Sequence, residues 1–157
     1  MSLSKRAQQF QDVLDQRSLG LRVIELPDST RTADDAARAL GCSKAQIVKS
    51  LVFRDTATER PVVVLASGPN RVNEKSIATH LGSEIDKADA DFVKRATGFA
   101  IGGVPPLGHC EPVTLFVDED LLQFDEVWAA AGTPHAVFKI PGKLTDILPE
   151  HTVISVR

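Results

Sequence analysis

Cysteine is scarce in this chain and its two copies are not spaced for chemistry. Cys42 and Cys110 are the only ones in 157 residues, and no CxxC pair occurs. That excludes a disulfide framework and a zinc knuckle, and each cysteine reads as a small buried or half-buried apolar residue. The four histidines, His80, His109, His135 and His151, show no HExxH or related ligand spacing, so neither a metal nor a cofactor is expected. Long apolar runs are absent as well. None approaches the ~20 residues that span a bilayer, and the N-terminal MSLSKRAQQF has no signal-peptide core. Both absences predict a cytoplasmic location and no membrane contact. Charge of one sign is also lacking. A net charge of −3 and a pI near 5.8 argue against a broad electrostatic grip on nucleic acid. Local basic patches remain open, with Lys44, Arg54, Arg71 and Lys75 as candidates.

What is present is a globular balance, 43% apolar and 25% charged residues, in a length that suits one domain over residues 1–157. SKRAQQFQDVLDQRS puts Phe10, Val13 and Leu14 on one helical face, with Gly20 as the stop. LRVIEL reads as a strand. Thr32 with Asp35 forms a capping box for a helix ended by Gly41, and Ser43 with Gln46 marks a second cap. Ile47–Phe53 is strand-like, and PVVVLAS is a buried-strand signal. Two short helices come next, capped by Asn73 and Asp89 and ended by Gly82 and Gly98. PVTLFVD, DEVWAAAG, HAVFKI and HTVISV read as strands. EDLLQF is a helical turn, and Pro141 opens a last short helix. No G-x-G-x-x-G opens a helix, so a Rossmann fold is excluded. The expected fold is α+β: a mixed, curved, barrel-like sheet of about seven strands with short flanking helices.

Two features stand out as candidate chemistry. Lys49 interrupts the apolar strand IVKSLVF. It is either an outward-facing residue of an alternating strand or a cation aimed into a cleft, where it would hold a phosphate or carbonyl oxygen. Ser50 beside it faces the other way in a regular strand. The second feature is FAIGGVPPLGHCEP, with three glycines and three prolines in fourteen residues. Gly102 and Gly103 allow close backbone approach, and Pro105 and Pro106 hold the loop stiff. The segment is either a structural turn or a rigid wall whose amides hold a ligand. His109 and Cys110 are neighbours in extended chain and point apart, which spoils a Cys–His dyad. Asp118, Glu119 and Asp120 read as caps of the next helical turn.

IVKSLVF, VVVLASG, ATGFAIGGVPPLGH and FDEVWAAAGTPHAVFKI, in this order, resemble the YbaK/prolyl-tRNA synthetase-associated domain family, over roughly residues 20–157. The resemblance implies a trans-editing deacylase that hydrolyses mischarged aminoacyl-tRNA, typically prolyl-tRNA bearing alanine, serine, cysteine or 2-aminobutyrate. It places the family lysine on Lys49 and the hydroxyl residue after it on Ser50. The G-x-x-x-P loop falls on Gly102, Gly103, Val104, Pro105 and Pro106, and the late turn on Thr133 and His135. It implies no side-chain general base, with a hydroxyl of the terminal adenosine or the substrate's own side chain helping the attack. The partners implied are the acceptor end of aminoacyl-tRNA and, for delivery, prolyl-tRNA synthetase or an elongation factor. The protein itself would be a monomer or weak homodimer.

Two competing readings use the same residues. A non-catalytic regulator of this fold would bind aminoacyl-tRNA or a small ligand without turnover. An unrelated interaction protein would use the glycine-proline loop for docking.

Overall fold

The computed structural model describes residues 3–27, 29–30 and 32–157. Helix α1 spans Lys5–Gln16 behind the Ser4 cap. It ends before the expected Gly20 because Arg17 caps it and Ser18 turns to φ 55. Helices α2 (Ala33–Leu40), α3 (Glu74–Leu81) and α4 (Ala90–Thr97) start at Thr32, Asn73 and Asp89 and end at left-handed Gly41, Gly82 and Gly98. Those caps match the sequence signals. The Ser43–Gln46 capping box opens a 3-10 turn, Lys44–Gln46.

Eight strands form one mixed sheet: β1 (Val23–Glu25), β2 (Ile47–Asp55), β3 (Pro61–Ser67), β4 (Ile85–Lys87), β5 (Thr114–Asp118), β6 (Glu126–Ala130), β7 (Ala136–Pro141) and β8 (Thr152–Ile154). Their order is β1-β7-β6-β2-β3-β5-β8, with β4 paired to β2 off this path. The sheet is not closed into a barrel, since β1 and β8 stand at its two ends. Pro141 ends β7 rather than opening a helix, and Gly142 at φ 78 then turns the chain into a 3-10 turn, Leu144–Ile147.

β3 is the wall of the molecule, with all seven residues buried. Strand alternation sends Val63 and Leu65 into the main core with Phe10, Leu14, Phe99 and Phe138, and Val62, Val64 and Ala66 into a second core with Ile77 and Phe116. Its continuous apolar run follows from this burial on both faces.

One edge of β3's neighbour β2 is shared by two partners. Ile47 and Val48 pair in parallel with Trp128 and Ala129 of β6. Phe53 to Asp55 pair antiparallel with β4. Between them, residues 49–52 have no strand partner on that side among the described residues. The sheet therefore forks at Lys49 and Ser50.

The glycine-proline segment after α4 closes over the fork. Phe99 is buried edge-to-face against Phe10 of α1, with ring centroids 6.2 Å apart. The Gly103 amide donates to the Ala100 carbonyl at 3.0 Å, and its own carbonyl accepts from Gly132 at 2.9 Å. A Cβ on Gly103 would lie 2.8 Å from backbone atoms of Gly132 and Thr133. Its bareness thus serves contact between two loops. Pro105, Pro106 and Leu107 are buried, and His109 Nε2 lies 2.8 Å from the Pro105 carbonyl. Because a carbonyl can only accept, Nε2 carries the proton.

Gly103→Ala is expected to wedge the two loops apart at an overpacking cost of about 1–3 kcal/mol, read as a lower midpoint in thermal or denaturant unfolding. His109 gives a second test. Burial pushes its pKa down and Arg17 adds to this, against the Pro105 carbonyl. The neutral ring is favoured in the folded protein, so its stability contribution is complete above the unfolded value of about 6.5 and is lost as pH falls below it. The melting temperature should drop between pH 7 and pH 5, and His109→Gln should flatten that slope. An unchanged slope would clear His109 of the effect.

Candidate active site

The fork is the floor of a two-lobed cleft. A smaller lobe of about 330 Å³ lies between β2, α2 and β6, bounded by Ala33, Ala36, Trp128, Ala130 and Val137. A larger lobe of about 780 Å³ opens on the other side, past Val52, Val72, Val93 and Ile101. Lys44, Lys49, Ser50, Leu51, Gly68 and Val104 line both. The unpaired stretch of β2 is thus the wall the lobes share.

Alternation places Lys49 with Leu51 and Phe53, toward the α3 side, and Ser50 with Val48 and Val52, toward the main core. In a closed sheet one of them would face away from any ligand, but at an open edge both border the gap. Lys49 Nζ donates to the Asn70 carbonyl at 2.7 Å. An ammonium has three donors, so two remain for a ligand. Burial lowers the Lys49 pKa and Lys44 lowers it further, while Asp118 raises it. The Ser50 Oγ is buried with no hydrogen-bond partner, the only such side-chain atom among the described residues. An unmade bond of this kind costs about 1–3 kcal/mol.

The loop supplies the opposite wall. Gly102, at φ 91, lines the smaller lobe, and Val104 lines both. The Gly103 amide is occupied by Ala100, whereas the amides of Gly102 and Val104 make no hydrogen bond among the described residues. Gly102 and Val104 thus bring two uncommitted donors to a lining that Lys49 shares.

The structure brings Lys49, Ser50, Gly102 and Val104 together. Gly103, Pro105 and Pro106 stand behind this wall, and Thr133 backs Gly103. His135 is exposed and lines neither lobe. Of the basic candidates, Lys44 and Arg71 line the larger lobe together with Lys87. Arg54 instead pairs with Asp86 at 3.1 Å and Glu59 at 3.7 Å, and Lys75 lies on exposed α3. Cys42 is half-buried and Cys110 is exposed. No group of three or more His, Cys, Asp or Glu among the described residues is arranged to hold a metal, and no described helix is long and apolar enough to cross a membrane.

Asn70, Asp118 and Asp120 were legible only as a turn and a cap. Asp118 does cap, accepting the Asp120 amide at 2.9 Å. It also accepts from the Ser67 amide at 3.0 Å and Asn70 Nδ2 at 2.7 Å, and Asn70 Nδ2 reaches Asp120 at 2.7 Å. The pairing across 48 residues of sequence left no local signal.

A solved structure carries the same architecture, and curated relatives match in sequence. A solved structure described as a candidate trans-editing enzyme for prolyl tRNA synthetase is 43% identical, with a TM-score of 0.91 over 99% of each chain. The uncharacterized protein YwhH of Bacillus subtilis is 28% identical over 77% of this chain and 76% of its own length. The proline–tRNA ligase of Limosilactobacillus fermentum is 36% identical over 57% of this chain, a stretch that is only 16% of that enzyme. The aminoacyl-tRNA editing domain family matches residues 27–147, which include both walls of the cleft. This chain belongs to the aminoacyl-tRNA editing domain family.

Proposed function

We propose that this protein is a trans-editing hydrolase, one that deacylates prolyl-tRNA wrongly charged with a small amino acid such as alanine, serine, cysteine or 2-aminobutyrate. The observation that carries the reading is the fork in β2. It sets Lys49, the unpartnered Ser50 hydroxyl and the free amides of Gly102 and Val104 around one gap. The larger lobe, with Lys44, Arg71 and Lys87 on its wall, takes the terminal nucleotide of the acceptor end. The smaller lobe takes the aminoacyl side chain. The ester lies between them, where Lys49 holds a phosphate or ribose oxygen and the loop amides hold the carbonyl oxygen.

Water adds to the ester carbon, the bond to the ribose oxygen breaks, and that oxygen leaves protonated. Among the described residues, two carboxylates border the cleft, Asp34 and Glu74. Asp34 is paired with Lys44 at 3.2 Å, and Glu74 sits in the first turn of α3. In this reading a hydroxyl of the terminal adenosine or the substrate's side chain assists the attack, as the family resemblance implies, and catalysis rests on positioning and electrostatics. Selection comes from the small lobe, whose alanine and valine walls set an upper size. One methylene in an apolar pocket is worth about 1–3 kcal/mol, and steric exclusion more. Substrate is delivered in the cytoplasm, from prolyl-tRNA synthetase or an elongation factor.

The test is a deacylation panel, with one prolyl tRNA charged in turn with alanine, serine, cysteine, 2-aminobutyrate and proline. Turnover of one or more of the four smaller esters, with prolyl-tRNA spared, is expected. Lys49→Ala should lose roughly two to three orders of magnitude, or ~2–4 kcal/mol of transition-state stabilisation, while staying folded by circular dichroism. Binding of charged tRNA with no hydrolysis would make the protein a non-catalytic regulator. Near-normal turnover in folded Lys49→Ala would remove Lys49 from the site.

A further inference from the structure

Lys49 ends a chain of contacts that begins in the turn between β3 and α3. The turn Ser67–Asn70 is closed by the Asn70 amide, which donates to the Ser67 carbonyl at 2.9 Å. Ser67 Oγ donates to the Ala45 carbonyl at 2.7 Å, in the 3-10 turn that leads into β2. Gly68 lies so close to the Lys44 backbone that a side chain has no room there. On its other side the turn is held by carboxylates. Asp118, 1% exposed, binds the Ser67 amide and Asn70 Nδ2, and Asp120 takes a second bond from the same nitrogen. Arg157 approaches Asp120 at 3.5 Å. The turn is thus fixed at both ends, and its Asn70 carbonyl receives Lys49 Nζ.

We propose that Asn70, held by Asp118 and Asp120, is a positioning residue that aims the Lys49 ammonium into the cleft. A lysine on a four-carbon stem loses rotamer entropy when its ammonium is fixed. The Asn70 carbonyl supplies an anchor for one of its three donors and leaves the other two directed by geometry. Asn70 is suited to this by carrying both functions at once. Its backbone binds the lysine, and its side-chain amide bridges two carboxylates.

The same arrangement controls the charge on Lys49. The groups that face it are Lys44 from the 3-10 turn, which opposes the charge, and Asp118 from the end of β5, which supports it. Asp120 acts through Asn70. Arg71, Glu74 and Lys87 border the larger lobe, and Asp34 on the smaller lobe is neutralised by Lys44. A protonated Lys49 is present at low pH and lost as pH rises through its lowered pKa. Removing the Asp118 charge must move that loss to lower pH.

This inference rests on the deacylase reading for its kinetic arm only. In that arm, Asn70→Ala is expected to lower kcat/KM tenfold or more in the wild-type background and to change nothing in the Lys49→Ala background, under single-turnover conditions. Losses that multiply across the two backgrounds would show a merely structural role and overturn the proposal. The second arm needs no activity. Competitive acetylation with trace acetic anhydride across pH, read by mass spectrometry, follows each lysine separately. The Lys49 midpoint should fall in Asp118→Asn and shift in Asn70→Ala and the half-exposed Asp120→Asn, with exposed Lys75 followed alongside for comparison. Asp120→Asn keeps its shape, so it serves where Asp118→Asn does not fold. An unmoved Lys49 midpoint in the folded variants overturns the tether. Full turnover in Lys49→Ala would instead remove Lys49 from the deacylase site, and the acetylation arm would then decide the tether alone.

Discussion

The site depends on a strand edge that is left half-paired. β2 is nine residues long, and two different strands share one of its edges. Backbone donors and acceptors buried without partners cost free energy, so a gap inside a sheet must be wetted, capped or filled by a ligand. Here the gap sits over Lys49 and Ser50, and both cleft lobes converge on it. In a continuous sheet these two side chains would lie on opposite faces, each against a different core. The fork is what allows neighbours of opposite parity to border one cleft.

The remaining parts hold that gap at a fixed width. β3 is buried on both faces and anchors β2 along seven residue pairs. Opposite, the glycine-proline loop is held by Phe99 against Phe10, by Gly103 against Gly132 and by His109 on the Pro105 carbonyl. Each contact comes from a different element: α1, the β6–β7 loop and the segment itself. Rigid walls suit selection by size, because a pocket that cannot widen converts an extra methyl group into overlap rather than into a small strain.

Much of this was legible locally. The four helix caps, the buried run of β3 and the odd lysine of β2 are patterns within a few residues, and the structure bears out the caps and the run. β4 was not legible, because three residues reading Ile-Asp-Lys have no period of their own and become a strand only by pairing with β2. Pro141 looked like a helix opener, yet its fixed φ is equally compatible with the last residue of a strand. Gly103 is the more instructive case. From sequence its bareness suggested room for a ligand. In the fold it leaves room for the backbone of residues 132–133, about thirty positions away, where no local signal points. Gly102, its neighbour, is the one that lines the cleft and takes the left-handed conformation.

The same limit explains Asn70 and the two aspartates. An Asn after Gly-Pro reads as a turn residue, and Asp118 before a helical turn reads as a cap; both descriptions are correct and incomplete. A side chain that satisfies a local backbone group still has unused capacity: a carboxylate accepts at about four positions and an amide donates two protons. Asp118 spends one oxygen on its cap and the other on Ser67 and Asn70. Local satisfaction is what makes such residues look inert in a sequence, and the leftover lone pairs are what the fold uses to reach the site. A lysine read as the functional group is therefore only half of the device. The other half is whichever buried acceptor fixes its direction, and that is decided by the β3–α3 turn and the end of β5 meeting beside β2.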